Sequence, residues 1–205
     1  MPSIPLNFTW EQIKNRISSR LLSTTWHAEK IKNLVTIPLA ADVVQAFYIC
    51  LDGLVDSPPW STENQSAFAG ITPSLLSYLG KNVSDLLDAS AASRHGSARP
   101  MSDFLPVPTD ETGPQMYVVS TEDKAFGASA ILDPSVQETL NSVYPSGFYI
   151  CCSSVHECLA VSSDAADLSD LKNMVYTINR AEVAPEDRLS DSVFTLRGGC
   201  LAAAV

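Results

Sequence analysis

Apolar residues recur along this chain with two different periods, and the switches between them mark its elements. Thr9 followed by Gln12 has the form of a capping box. Trp10, Ile13, Ile17 and Leu21 then repeat at helical spacing, which predicts an amphipathic helix over residues 10–22. A short second helix is expected over residues 27–35. The run Val43-Val44-Gln45-Ala46-Phe47-Tyr48-Ile49-Cys50-Leu51 is rich in β-branched and aromatic residues and reads as a strand. Residues 52–70, with Pro58 and Pro59, read as a connection. Thr72 before Pro73 starts a helix that Gly80 ends, and a further helix over 83–94 should bury Val83, Leu86, Leu87 and Ala91.

Pro100, Pro106 and Pro108 then interrupt the pattern and mark a boundary. Beyond it, Met116 to Val119 reads as a strand, Thr121 to Lys124 as a polar turn and Phe126 to Ala130 as the return strand. Asp133 before Pro134 opens a helix with Val136, Leu140 and Val143 inward. Residues 148–152 form the next strand, with Cys158 to Val161 as its hairpin partner. Asp167 caps a last helix burying Leu168, Leu171, Met174, Val175 and Ile178, and residues 189–196 end in a short strand. The whole predicts an α+β fold: a small, mostly antiparallel sheet with helices packed on it, preceded by a helical N-terminal segment. Its expected parts are a helix-rich stretch over residues 1–106 with one strand, an α+β part over 107–197 sharing the same core, and a flexible tail over 198–205.

Charge changes the picture of function more than that of fold. Residues 1–100 carry eight Lys/Arg and eight Asp/Glu, whereas residues 101–205 carry five and fifteen, so the second half holds the whole net charge of −10. Direct binding to a nucleic-acid backbone needs clustered cations and is not expected. An acidic surface suits a basic protein partner, including one that itself binds nucleic acid. Asp164, Asp167 and Asp170, every third residue around a helix start, are the partner-binding candidates; they also complement the helix dipole. Residues 34–55, the most apolar stretch, are broken by Pro38, Asp42 and Asp52, so no membrane span is expected. Five cysteines and no leader-like N-terminus point to a cytoplasmic location.

The concentrated polar chemistry lies at Ser153, Ser154, His156 and Glu157. Extended chain puts Ser154 and His156 about 6.6 Å apart, too far for a nucleophile and its base unless a turn intervenes. No Gly-x-Ser-x-Gly elbow is present, and His156-Glu157 lacks the second histidine of a His-Glu-x-x-His metal site. No metal and no cofactor are expected. Two functional classes remain: a non-enzymatic accessory or interaction protein, and a small hydrolase or transferase using His156 with Ser153 or Ser154. The serines have an equally simple reading as hydroxyls that tie down a hairpin turn.

The segments Gly127-Ala128-Ser129-Ala130-Ile131-Leu132-Asp133-Pro134, Phe148-Tyr149-Ile150, Ser153-Ser154-Val155-His156-Glu157, Asn179 through Val183, and Leu189-Ser190-Asp191-Ser192-Val193-Phe194 follow one another in an order that resembles a family of domains of unknown function, number 5688. The resemblance is strong over about residues 115–197 and weaker upstream, at Gly70-Ile71-Thr72-Pro73 and Met101-Ser102-Asp103-Phe104-Leu105. A typical member has an apolar residue and proline where this chain has Cys151-Cys152, so the cysteines are not expected to serve a family-wide site. The resemblance implies an origin in low-GC Gram-positive gut bacteria and their plasmids, integrative elements or phages. It implies no activity, but a mobile-element setting makes an inhibitor of a host defence or nucleic-acid-processing complex one concrete form of an interaction protein.

Overall fold

A computed structural model describes residues 8–54, 67–104, 115–122 and 125–205. The middle of the 52–70 connection, the boundary near residue 106 and turn positions 123–124 lie outside the described residues.

The α+β expectation holds, with more strand than the sequence pattern suggested. The first sheet contains β1 (Ile17–Ser23), β2 (Thr36–Ala40), β3 (Val43–Cys50) and β4 (Phe68–Gly70). β3 pairs antiparallel with β1 along one edge and with β2 and then β4 along the other. The second sheet runs β10-β9-β7-β8-β6-β5, all antiparallel, from β5 (Gly96–Pro100), β6 (Met116–Thr121), β7 (Phe148–Cys151), β8 (Cys158–Ser162), β9 (Val193–Arg197) and β10 (Cys200–Ala203). The helices are α1 (Trp10–Ile13), α2 (Ala28–Ile31), α3 (Pro73–Tyr78), α4 (Val83–Ala92), α5 (Pro134–Val143) and α6 (Leu168–Ala181). No described helix is long and apolar enough to cross a membrane.

Strands that are buried on both faces explain the near-continuous apolar runs. In β7, Phe148 and Ile150 face a core shared by the two sheets, while Tyr149 and Cys151 face α6. The shared core joins Leu21, Leu22, Val43 and Val44 of the first sheet to Val119, Ile150, Ala160 and Phe194 of the second, with Val136 and Leu140 of α5. On the outer face of the first sheet, Ile17, Phe47 and Ile49 pack on Leu76 of α3 and Leu86 of α4.

Several elements differ from the sequence pattern, each for a packing reason. The helix expected over 10–22 begins with its capping box, Thr9 N–H donating to Gln12 Oε1 at 2.9 Å, but ends at Ile13. Ile17 and Leu21 fit both periods. Pairing of all seven residues of β1 with β3 decides for period two, and Ser19 and Ser23 are buried along with Ile17 and Leu21. The N-terminal part therefore carries a four-stranded sheet rather than one strand. The second helix is only the single turn α2. The return strand expected at 126–130 is a buried 3₁₀ segment, Gly127–Leu132, because both edges of β6 are already taken by β5 and β8. α4 buries Leu86 and Ser90 and leaves Val83 and Leu87 exposed. α6 buries Leu171, Val175 and Asn179, and leaves Met174 outside.

The tail expected to be flexible forms a hairpin instead. Gly198 and Gly199, with φ of 57° and 78°, make the two-residue turn between β9 and β10, since only glycine adopts such values without strain. Leu201 and Ala204 are buried, and Ala204 N–H donates to Val193 O at 2.9 Å.

Gly127 is where three segments cross. A Cβ there would lie 2.6 Å from Thr121 N and 2.7 Å from His156 O, backbone atoms that cannot yield cheaply. Gly127→Ala should cost about 3 kcal/mol as overpacking. A reduced urea midpoint at unchanged slope is the expected result.

Candidate functional site

The loop joining β7 to β8 carries the four residues singled out in the sequence, and it lies antiparallel to residues 187–190. Val155 N–H donates to Asp187 O at 2.8 Å, Leu189 N–H to Ser153 O at 3.0 Å, and Ser190 N–H to Cys152 O at 3.0 Å, with a bridge between Ser154 and Arg188. Ser154 Oγ accepts the His156 N–H at 3.1 Å, closing a tight turn. Ser153 contributes its carbonyl to the pairing. Glu157 is exposed at the rim of a cavity of about 560 Å³ that also borders Arg99 and Phe104.

His156 is committed at both ring nitrogens. Phe126 N–H points at Nδ1 at 3.2 Å; a backbone amide can only donate, so Nδ1 is the bare nitrogen and Nε2 carries the proton. Nε2 meets Asp187 Oδ1 at 3.2 Å. The Phe126 ring lies over the imidazole with centroids 5.3 Å apart, and the His156 carbonyl accepts the Ser120 hydroxyl at 2.8 Å. None of the described hydrogen bonds of the ring reaches Ser153 or Ser154. A base must have a bare nitrogen aimed at its proton donor, and the bare nitrogen here is occupied by main chain. The arrangement suits positioning of Phe126 and Asp187 better than proton transfer.

His27, at the start of α2, repeats the device. Its Nδ1 accepts the Ser23 N–H at 3.0 Å, and its Nε2 meets the Glu186 carbonyl at 2.9 Å. The ring is buried, and burial holds its pKa below the ordinary histidine value. Two histidines from different parts of the chain thus hold adjacent residues, Glu186 and Asp187. Asp42 adds a third tie, accepting the Ser23 hydroxyl at 2.7 Å and the Ser190 hydroxyl on its other oxygen.

The cysteines near the loop are reduced and packed. Cys152 Sγ lies 3.0 Å from Cys158 Sγ, and Cys158 Sγ lies 3.7 Å from Ala128 O. The contact with Cys158 and burial raise the Cys152 pKa well above the ordinary thiol range, and burial pushes Cys151 up to about 12. Among the described residues no three His, Cys, Asp or Glu side chains converge as a metal site would require.

Asp164, Asp167 and Asp170 are all exposed at the start of α6. Asp167 Oδ1 caps the helix, accepting from Ser169 N at 2.8 Å and Asp170 N at 3.1 Å, and none of the three is in a described ion pair.

A second concave feature escaped the sequence pattern. A cavity of about 300 Å³ lies between the first sheet, α4 and the 3₁₀ segment, and both Arg20 and Arg94 line it. The sequence pattern puts Ser18-Ser19-Arg20 in a helix and Ser93-Arg94 at another helix end, and nothing along the chain indicates that they meet. The only signal was indirect: two arginines set among serines in a strongly acidic protein.

Residues 3–197 match a family described as a family of unknown function (DUF5688), and the chain belongs to that family. No curated protein and no solved structure matches the chain.

Two outcomes follow from the titratable groups. The folded His27 pKa is lowered, so below about pH 6.5 the unfolded chain binds more protons than the folded one. Stability should therefore fall as pH drops below that value and through the lowered folded pKa, with no His27 contribution above it. Urea midpoints between pH 7.5 and 5 should show this slope, and His27→Gln should flatten it. An aromatic disulfide reagent should react fast with exposed Cys200 and slowly with half-buried Cys50, whose pKa burial raises, whereas buried Cys151, Cys152 and Cys158 should react only in denaturant.

Proposed function

We propose that this DUF5688 member is a non-catalytic interaction protein that presents the acidic first turn of α6 to a basic protein partner. The observation that carries the reading is the commitment of His156: its bare nitrogen accepts the Phe126 amide, which leaves Ser153 and Ser154 without an imidazole base. What α6 turns outward is instead suited to contact. Asp164, Asp167 and Asp170 stand exposed ahead of Met174 and Tyr176, which is 53% exposed, so acidic and apolar groups share one helix. Arg180 stacks over the Tyr176 ring at 3.4 Å and pairs with Asp191 at 3.1 Å, which fixes the aromatic side chain in place before any partner arrives.

The partner side of such a contact would be cationic. In its most concrete form the protein is a cytoplasmic inhibitor, carried by a mobile element of a Gram-positive host, that occupies the basic channel of a defence or nucleic-acid-processing complex. Its own charge of −10 would steer that association and make it strongly salt-dependent.

The test neutralises the surface without unfolding the helix. Asp164→Asn, Asp167→Ser and Asp170→Asn together remove three charges while a serine keeps the cap. Partner recovered from a host lysate at low salt should fall about tenfold, given up to ~1 kcal/mol per exposed charge contact. Equal recovery by the wild-type and triply substituted proteins, or no partner at low salt, would sink this reading.

A further inference from the structure

The cavity between the sheets is partly closed and carries two arginines among five serines, which an interior boundary between two apolar layers does not require. Arg94 extends from the end of α4 into it. Its Nη1 donates to Leu132 O at 3.0 Å and its Nη2 to Ser19 Oγ at 3.3 Å. Its Nε is buried and has no hydrogen-bond partner among the described residues. A buried guanidinium nitrogen left unpaired costs on the order of 1–3 kcal/mol, and native structures keep few of them. Burial pulls the Arg94 pKa downward, and Asp133, the carboxylate whose charge opposes that effect, is occupied by the Gly96 and Ser135 amides.

Arg20 enters from β1. Its guanidinium lies 4.3 Å from the Tyr48 and Phe68 ring centroids and 3.6 Å from that of Phe126. Three rings around one cation fix its place and present apolar faces beside it. Phe126 itself stands at φ 57°, a left-handed conformation that a bulky residue rarely adopts, and its amide is held there by His156. Strain of that kind persists where the surroundings over-determine it, and it often marks a ligand clamp. Among the described lining residues the acidic one is Glu122, exposed at the rim.

We propose that this cavity binds a small organic oxyanion, a phosphate or carboxylate carried on a flat apolar group, with the charged end on Arg94 and Arg20 and the flat part against Phe126. A planar fork of donors matches the paired oxygens of either anion. The volume of about 300 Å³ is at the small end of the range for ligand pockets, which suits a single-ring compound. The site is separate from the acidic turn of α6, so it does not depend on the identity of a protein partner.

Calorimetric titration of the full chain with phenyl phosphate, benzoate and inorganic phosphate tests this. Saturable binding of phenyl phosphate assigns a phosphoryl ligand, and saturable binding of benzoate a carboxylate; either supports the site. Arg94→Lys keeps the charge but loses the fork, and should weaken binding about tenfold, the worth of one charge-assisted hydrogen bond. Ala125→Trp, at the exposed mouth, should abolish binding without lowering the melting temperature of the unliganded protein, which keeps the test decisive even if Arg94→Lys folds poorly. The proposal is overturned if none of the three probes binds saturably, or if both variants bind within twofold of wild type. Inorganic phosphate binding as tightly as phenyl phosphate would overturn the part assigned to the ring.

Discussion

The rest of the structure depends on how residues 186–190 cross between the two sheets. A segment in that position cannot leave its amides and carbonyls unpaired, because a buried main-chain group without a partner costs about as much as a lost hydrogen bond. The chain answers with partners from both sides. His27 takes the Glu186 carbonyl, Cys152 and Ser153 take the Ser190 and Leu189 amides, Val155 takes the Asp187 carbonyl, and His156 takes the Asp187 side chain. Asp42 then bridges Ser23 of β1 to Ser190. The shared core can close only with this segment in register. The polar stretch at 153–157 and the segment 186–190 are the two halves of one clasp.

That constraint reaches the cavity through a single residue. His156 uses its bare nitrogen on the Phe126 amide, and this fixes Phe126 at positive φ with its ring over Arg20. Gly127 follows at once because no side chain fits where β6, the 153–157 loop and the 3₁₀ segment touch. Asn179 extends the same network outward, donating to Ser190 O and to Asp191, which in turn holds Arg180. A polar residue on the buried face of α6 is thus tied to the same segment as β1.

Local signals were readable in the sequence where they were chemically specific. The caps at Thr72, Asp133 and Asp167 and the β7–β8 hairpin all stand where residue types demanded them. What failed was period assignment in short apolar runs. Ile17 and Leu21 satisfy a helix and a strand equally, and the choice was made by β3, some 25 residues away, through tertiary pairing. Gly198-Gly199 is a usable hairpin signal, but the few apolar anchors after it favour a flexible tail in the sequence, and only the pairing of β10 with β9 orders it. The candidate site was half legible. The sequence places Ser153, Ser154 and His156 in one turn, but the ring's partners, Phe126 and Asp187, lie about 30 residues to either side. Arg20 and Arg94 meet only once β1 is a strand and α4 packs across it.

The distribution of charge follows from the same architecture. α6 covers the face of the second sheet turned away from the shared core, so its polar side is exposed and can accumulate aspartates at the small cost of an exposed, dipole-complementing position. The sheet junction, by contrast, has to fill an irregular gap between twisted surfaces that do not close evenly at their edges. Long arginine side chains can bury their stems along apolar walls while keeping donors for scattered carbonyls, and Arg94 does this with Leu132 O. An acidic exterior and a cationic interior seam are therefore compatible in one small protein. The first would attract cations at long range, and the site proposed in the second would select a compact anion at short range. Screening by salt weakens only the exposed charge strongly, so ionic strength separates the two experimentally.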